Sequence, residues 1–62
     1  MNFTFVVIDD NQESILKTKA LAESFQNLTF IGSAQNYDDG IDLILEYQPK
    51  LIFLEINPST TE

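Results

Sequence analysis

Three runs of apolar residues alternate along the chain with two segments in which apolar and polar residues are mixed. The runs are rich in β-branched and aromatic residues and predict β-strands over residues 3–8, 28–34 and 51–56. In the segments between them, apolar residues recur every three or four positions, which is typical of amphipathic helices. The predicted element order is β-α-β-α-β.

The first helix is predicted over residues 12–26. Asp10 or Asn11 can cap its amino end, and with Asp10 as the cap, Glu13 completes an arrangement close to a capping box. The residues predicted to form its inward side are Ile15, Thr18, Leu21, Ala22 and Phe25.

The second helix is predicted to begin at Asn36, a good cap, and to end before Pro49. We expect Gly40 to allow close packing in its first turn. The residues predicted to form its inward side are Tyr37, Ile41, Ile44 and Leu45.

Helix-length connections imply that the strands pair in parallel, with right-handed crossovers that place the helices on the faces of the sheet. The first and third strands are the most apolar and should be neighbours, with the first strand covered on both faces and the second at an edge. The expected fold class is α/β, a three-stranded parallel sheet in the order 2-1-3, which is half of a flavodoxin-like fold.

The chain is one small domain of 62 residues without cysteine. A domain of this size buries only about 60 % of the surface that its unfolded chain exposes. With 44 % hydrophobic residues it is too apolar for a disordered tail, and no disulfide can stabilise it. We therefore expect a metal or another chain to add stability.

Ten acidic residues against three lysines give a net charge of −7, which disfavours nucleic-acid binding. Histidine is absent, which removes the usual zinc ligand and the usual neutral-pH general base. The apolar run at residues 3–8 is too short for a signal peptide or a membrane span, so we expect a soluble, cytoplasmic protein without a membrane role.

Three carboxylates occur where apolar strands end. Asp9 and Asp10 follow the first strand, and Glu55 lies in the third apolar run. The carboxyl ends of parallel strands meet at the edge where open α/β sheets bind ligands, so the three acids can share one site. They are candidates for binding a hard cation or a phosphoryl group.

These features together resemble the first half of a response-regulator receiver domain, the phosphorylatable module of two-component signalling. The resemblance rests on residues 6–11 (VVIDDN), on residues 31–34 (IGSA) leading to residues 36–44 (NYDDGIDLI), and on residues 48–56 (QPKLIFLEI). It spans nearly the whole chain, which is then a truncated receiver-like domain over residues 1–62.

The resemblance implies a role for each acid. Asp9 and Asp10 match the acidic pair that holds Mg²⁺ in the family, and Asn57 matches the residue whose backbone carbonyl completes the metal site. Glu55 occupies the position of the phospho-accepting aspartate. A full-length parent would receive its phosphoryl group from a histidine kinase.

Two departures from the family qualify these roles. Glutamate at position 55 has one methylene more than aspartate, which displaces the carboxylate from the geometry of phosphoryl transfer and can mimic an activated state. The fourth and fifth strands of the family, with their Ser or Thr and their Lys, are not in this sequence, and Lys17, Lys19 and Lys50 lie elsewhere. Pro58 also follows Glu55 by three residues instead of the usual four.

Other interpretations remain open. Asp10 can be an ordinary helix cap, and Glu55 an ordinary exposed strand end. The alternative function is an interaction or dimerisation module, in which the unpaired third strand joins a second copy or the missing half of a receiver domain. A phosphotransfer enzyme is disfavoured, since there is no phosphate-binding glycine loop and no cationic clamp.

Overall fold

The computed structural model of the chain describes residues 2–55 and contains three strands and two helices. In chain order they are β1 (Phe3–Asp9), α1 (Gln12–Glu23), β2 (Leu28–Ala34), α2 (Tyr37–Tyr47) and β3 (Leu51–Glu55). The predicted β-α-β-α-β order is confirmed. Helix α1 ends three residues before the predicted position, and Ile56, the predicted last residue of β3, lies outside the described residues.

The strands form one sheet in the order β2-β1-β3, and both pairings are parallel. This confirms the predicted order, with β1 in the centre and β2 at an edge. The β1–β3 register is unbroken, but the β1–β2 register shifts between Phe5 and Val6. Phe5 pairs with Phe30, whereas Val6 pairs with Gly32. One extra residue, Ile31, therefore forms an irregularity in β2.

Asparagine caps both helices. The Asn11 side chain accepts hydrogen bonds from the backbone N–H groups of Glu13 (2.8 Å) and Ser14 (3.3 Å), and the Asn36 side chain accepts one from Asp39 N–H (2.8 Å). Each side-chain oxygen thus satisfies N–H groups that the first helical turn leaves without a partner. Asn11, the second of the two predicted candidates, is the cap, so the capping box based on Asp10 does not form.

Helix α1 covers the sheet face formed by Phe5 and Val7. Its buried residues Ile15 and Ala22 pack onto these two side chains. The Phe5 ring lies between aromatic rings of both neighbouring strands, with centroid distances of 5.4 Å to Phe30 and 5.5 Å to Phe53. The residues of β1 on this face therefore join all three strands and α1 into one apolar core.

Helix α2 covers the opposite face and approaches it at two glycines. A Cβ atom at Gly40 would lie 2.6 Å from Ile8 Cδ1, and one at Gly32 would lie 3.3 Å from Leu43 Cδ2. Gly40 is buried against β1, which confirms the close packing predicted for it. The two glycines thus bring α2 close to β1 and β2.

The predicted inward sides of the helices are only partly correct. Ile15 and Ala22 are buried, but Leu21 is 68 % exposed, and Leu45 on α2 is 71 % exposed. Three other residues predicted to face inward are also at least half exposed: Phe25, Tyr37 and Ile41. Both helices pack on β1 and β2, so side chains on the flanks directed away from β2 find no partner among the described residues.

Candidate functional site at the carboxyl edge of the sheet

The carboxyl ends of β1 and β3 bring two acidic residues side by side. Asp9 and Glu55 are direct partners in the parallel register of these strands. Partnered residues of neighbouring strands project to the same face of a sheet, so the two side chains belong to the face that α1 covers. Residues 46 positions apart in sequence thus meet at one edge, as the strand pattern predicts.

Asp9 is the only buried charged residue among those described, with 3 % of its surface exposed. Its Oδ1 accepts a hydrogen bond of 3.0 Å from the backbone N–H of Asn11, the cap of α1. The carboxylate therefore lies at the amino end of α1, where the helix dipole favours negative charge. Burial of a carboxylate is costly without such compensation, so the start of α1 is part of the site.

Asp10 lies in the bend between β1 and α1, and its side chain is exposed. Because Asn11 caps α1, the alternative role of Asp10 as a helix cap is not realised. Glu55 is also exposed, at the end of β3. One buried and two exposed carboxylates thus belong to this region of the molecule.

A side-chain hydrogen bond joins the two loops at this edge. Gln35 Nε2 donates to Gln12 Oε1 over 3.0 Å, which connects the first residue of α1 to the segment that follows β2. This contact could not be predicted from the sequence, because no motif or periodicity links two glutamines that are 23 residues apart. The bond helps to fix the loops beside Asp9.

Two of the lysines, Lys19 and Lys50, lie away from this edge. Lys19 Nζ lies 5.0 Å from the ring centroid of Phe30. The backbone N–H of Lys50 donates to the Thr4 carbonyl over 3.1 Å, at the opposite, amino end of the strands. Neither contact allows these side chains to pair with a group held beside Asp9 and Glu55.

Within residues 2–55, no three acidic side chains gather closely enough to form a metal-binding group. The predicted metal ligand Asn57 and the loop residue Pro58 lie outside the described residues. Mg²⁺ commonly uses only one or two carboxylates and completes its octahedral shell with water and phosphate oxygens. The described part of this edge therefore offers two adjacent carboxylates, Asp9 and Asp10, and no larger group of ligands.

No helix in the described part of the chain is both long and apolar enough to span a membrane. No protein-family model, curated protein or solved structure matches the chain.

Proposed function

We propose that the chain is a receiver-like segment of a two-component response regulator and acts in phosphorelay signal transduction as a binding module, not as an enzyme. The observation that supports this most strongly is the pairing of Asp9 with Glu55 at the carboxyl edge of a parallel 2-1-3 sheet. In receiver domains, which the sequence resembles, the corresponding positions hold a metal-binding acid and the phospho-accepting aspartate. Such a segment belongs in the cytoplasm, where a histidine kinase would be the partner of a full-length parent.

In this proposal, Glu55 takes the position of the phosphoryl acceptor but does not accept a phosphoryl group. Its additional methylene displaces the carboxylate by roughly one bond length, and displacements of about 1 Å can lower a reaction rate about 100-fold. Neither Lys19 nor Lys50 lies at this edge to stabilise a transferred phosphoryl group. The exposed carboxylate instead supplies permanent negative charge beside Asp9.

Asp9 and Asp10 are proposed to hold Mg²⁺ weakly, with the backbone carbonyl of Asn57 as a further ligand. The closeness of Asp9 and Glu55 supports the binding of a cation, because a divalent ion offsets the repulsion between like charges. The remaining ligands would be water, which keeps the affinity low.

The metal proposal is tested by titration with Mg²⁺ at constant ionic strength, followed by amide chemical shifts. We expect saturable shifts at residues 9–12 and 55, with a dissociation constant on the order of 1 mM or weaker. Asp9→Asn should abolish them, because it removes the central carboxylate. Asp42→Asn, which changes an exposed acid on α2, is the matched control and should leave them intact. Equal responses in both variants would mean diffuse counter-ion binding and would overturn the metal site.

The acceptor proposal is tested with acetyl phosphate and Mg²⁺, with intact-protein mass as the readout. We expect no phosphoryl adduct on the chain. The Glu55→Asp variant, which restores the acceptor of the family, should also remain unmodified, because neither Lys19 nor Lys50 lies at this edge to stabilise a transferred phosphoryl group. A phosphoryl adduct mapped to Glu55 would contradict the proposed role of this residue.

A further inference from the structure

One side of the molecule, formed by β3, is apolar and is left uncovered by residues 2–55. Both helices pack on β1 and β2, and β1 is the neighbour of β3 on one side only. Leu51, on the face that α1 covers, and Ile52 and Leu54, on the opposite face, are all exposed. The strand therefore presents an open backbone edge together with bare apolar side chains on both faces; we call this the β3 surface.

One flank of α1 extends this surface. Lys19 reaches Phe30 of β2, and Leu21, about 200° further round α1, lies on the opposite flank, towards β3. Leu21 is 68 % exposed, so it adds an apolar side chain at the border of the β3 surface.

Residues 51–54 of β3 carry no feature that would protect the edge from pairing, and the one charge of the strand, Glu55, lies at its end. Natural edge strands commonly carry a proline, a bulge or an inward charge that prevents association. Within β3 there is no proline, the register with β1 is unbroken, and residues 51–54 are all apolar. The other edge strand, β2, has an irregular register at Ile31. The two edges therefore differ in their capacity to add a strand.

We propose that β3 pairs antiparallel with β3 of a second copy of this chain, forming a continuous six-stranded sheet. The charges at the ends of the strand favour this direction, because Lys50 precedes it and Glu55 ends it. Antiparallel pairing brings the lysine end of one copy to the glutamate end of the other, whereas parallel pairing would bring like charges together. This inference is independent of the proposed signalling role.

The positions of the helices leave room for such a dimer. With strands about 4.8 Å apart, helices centred over β1 and β2 of each copy would lie about 19 Å apart across the joint, compared with about 8–10 Å for packed helices. The second copy can therefore approach without a clash. A five-residue strand buries less than the roughly 800 Å² per partner of a standard interface, so we expect a dissociation constant on the order of 10–100 µM.

Sedimentation of the 62-residue chain from about 5 to about 500 µM tests the dimer. We expect a reversible monomer–dimer equilibrium that Leu54→Lys weakens about tenfold or more, because each dimer then carries two added charges beside the joint. Leu16→Lys is the matched control: Leu16 and Leu54 are both 54 % exposed, but Leu16 lies on α1 towards the Lys19 side. Far-UV circular dichroism of each monomer verifies its fold. A chain that stays monomeric throughout, or that responds equally to both variants, would overturn the proposal.

Glu55→Lys tests the direction of pairing. It changes the net charge from −7 to −5, because one acid is replaced by one base. If only the lower net charge mattered, the two copies would repel each other less and association would be stronger. In the antiparallel arrangement, however, the new lysine lies near Lys50 of the other copy and should weaken association several-fold. A mixture of Glu55→Lys with Lys50→Glu should restore the dimer. Stronger self-association of Glu55→Lys would rule out the antiparallel arrangement.

Discussion

The two edge strands of the sheet, β2 and β3, both pair with β1, but they differ in how far the helices cover their side chains. Strand β2 is covered on both faces, since Lys19 of α1 lies over Phe30 and Leu43 of α2 contacts Gly32. Strand β3 pairs with β1 equally directly, but of its apolar side chains only Phe53 packs against the core, and the others are exposed on both faces. A strand can therefore belong fully to a sheet by its backbone while its side chains remain available for recognition.

Two glycines bring α2 close to the β1–β2 side of the sheet. Gly40 lets α2 approach Ile8 of β1, and Gly32 makes room for Leu43 above β2. No glycine occurs in β3, where large apolar side chains project to both faces. Helix α2 therefore lies where the backbones can approach most closely, and the exposed side chains of β3 remain beside it.

The largest expected difference between the covered and bare regions concerns Phe5 and Leu54. Phe5→Ala removes a fully buried ring that contacts Phe30 and Phe53, at a cost of about 3–5 kcal/mol. The free energy of unfolding of a domain of this size is about 3–9 kcal/mol, so this one substitution should remove a large part of it. Urea denaturation at low protein concentration measures the loss. Leu54→Ala, on the bare strand, should cost less than about 1 kcal/mol; a similar loss for both would mean that β3 is covered after all.

A smaller effect is expected where α2 meets the sheet. Gly40→Val should lower the free energy of unfolding by about 1–3 kcal/mol, because its side chain would overlap the buried Ile8. Ile8→Val removes the Cδ1 atom that the new Cβ would meet, so the same substitution should cost less in that background. Gly32→Ala, where the nearest contact is looser, should cost less than Gly40→Val. Strict additivity of the Gly40 and Ile8 changes would contradict the close packing.

Much of the fold follows from the sequence, because its signals are local. The unbroken apolar run of β1 predicts burial on both faces, and helix-length connections predict parallel pairing in the order 2-1-3. The buried flank of each helix does not follow, since periodicity defines an apolar stripe but not the part of the sheet beneath it. Leu21 and Leu45 are therefore exposed where the periodicity alone predicts burial.

Some features of the candidate site could likewise be predicted from the sequence, and others could not. The pairing of Asp9 with Glu55 could be predicted, because both acids occur where neighbouring parallel strands end. The choice of Asn11 over Asp10 as the helix cap could not be predicted, because the two residue types cap equally well and the candidate positions differ by a single residue. The contact between Gln12 and Gln35 depends on loop geometry that no sequence pattern specifies.

The smallest expected effect concerns the ring contact that distinguishes β2 from β3. Lys19→Gln removes a cation 5.0 Å from the Phe30 ring centroid and should lower the free energy of unfolding by about 0.5–1 kcal/mol. Lys17→Gln, at an exposed position of the same helix, changes the net charge equally, from −7 to −8, because one lysine is lost in each variant. The difference between the two variants in urea denaturation therefore isolates the ring contact from the general rise in repulsion. Equal losses would mean that Lys19 acts only through its charge, and that β2 is covered by apolar packing alone.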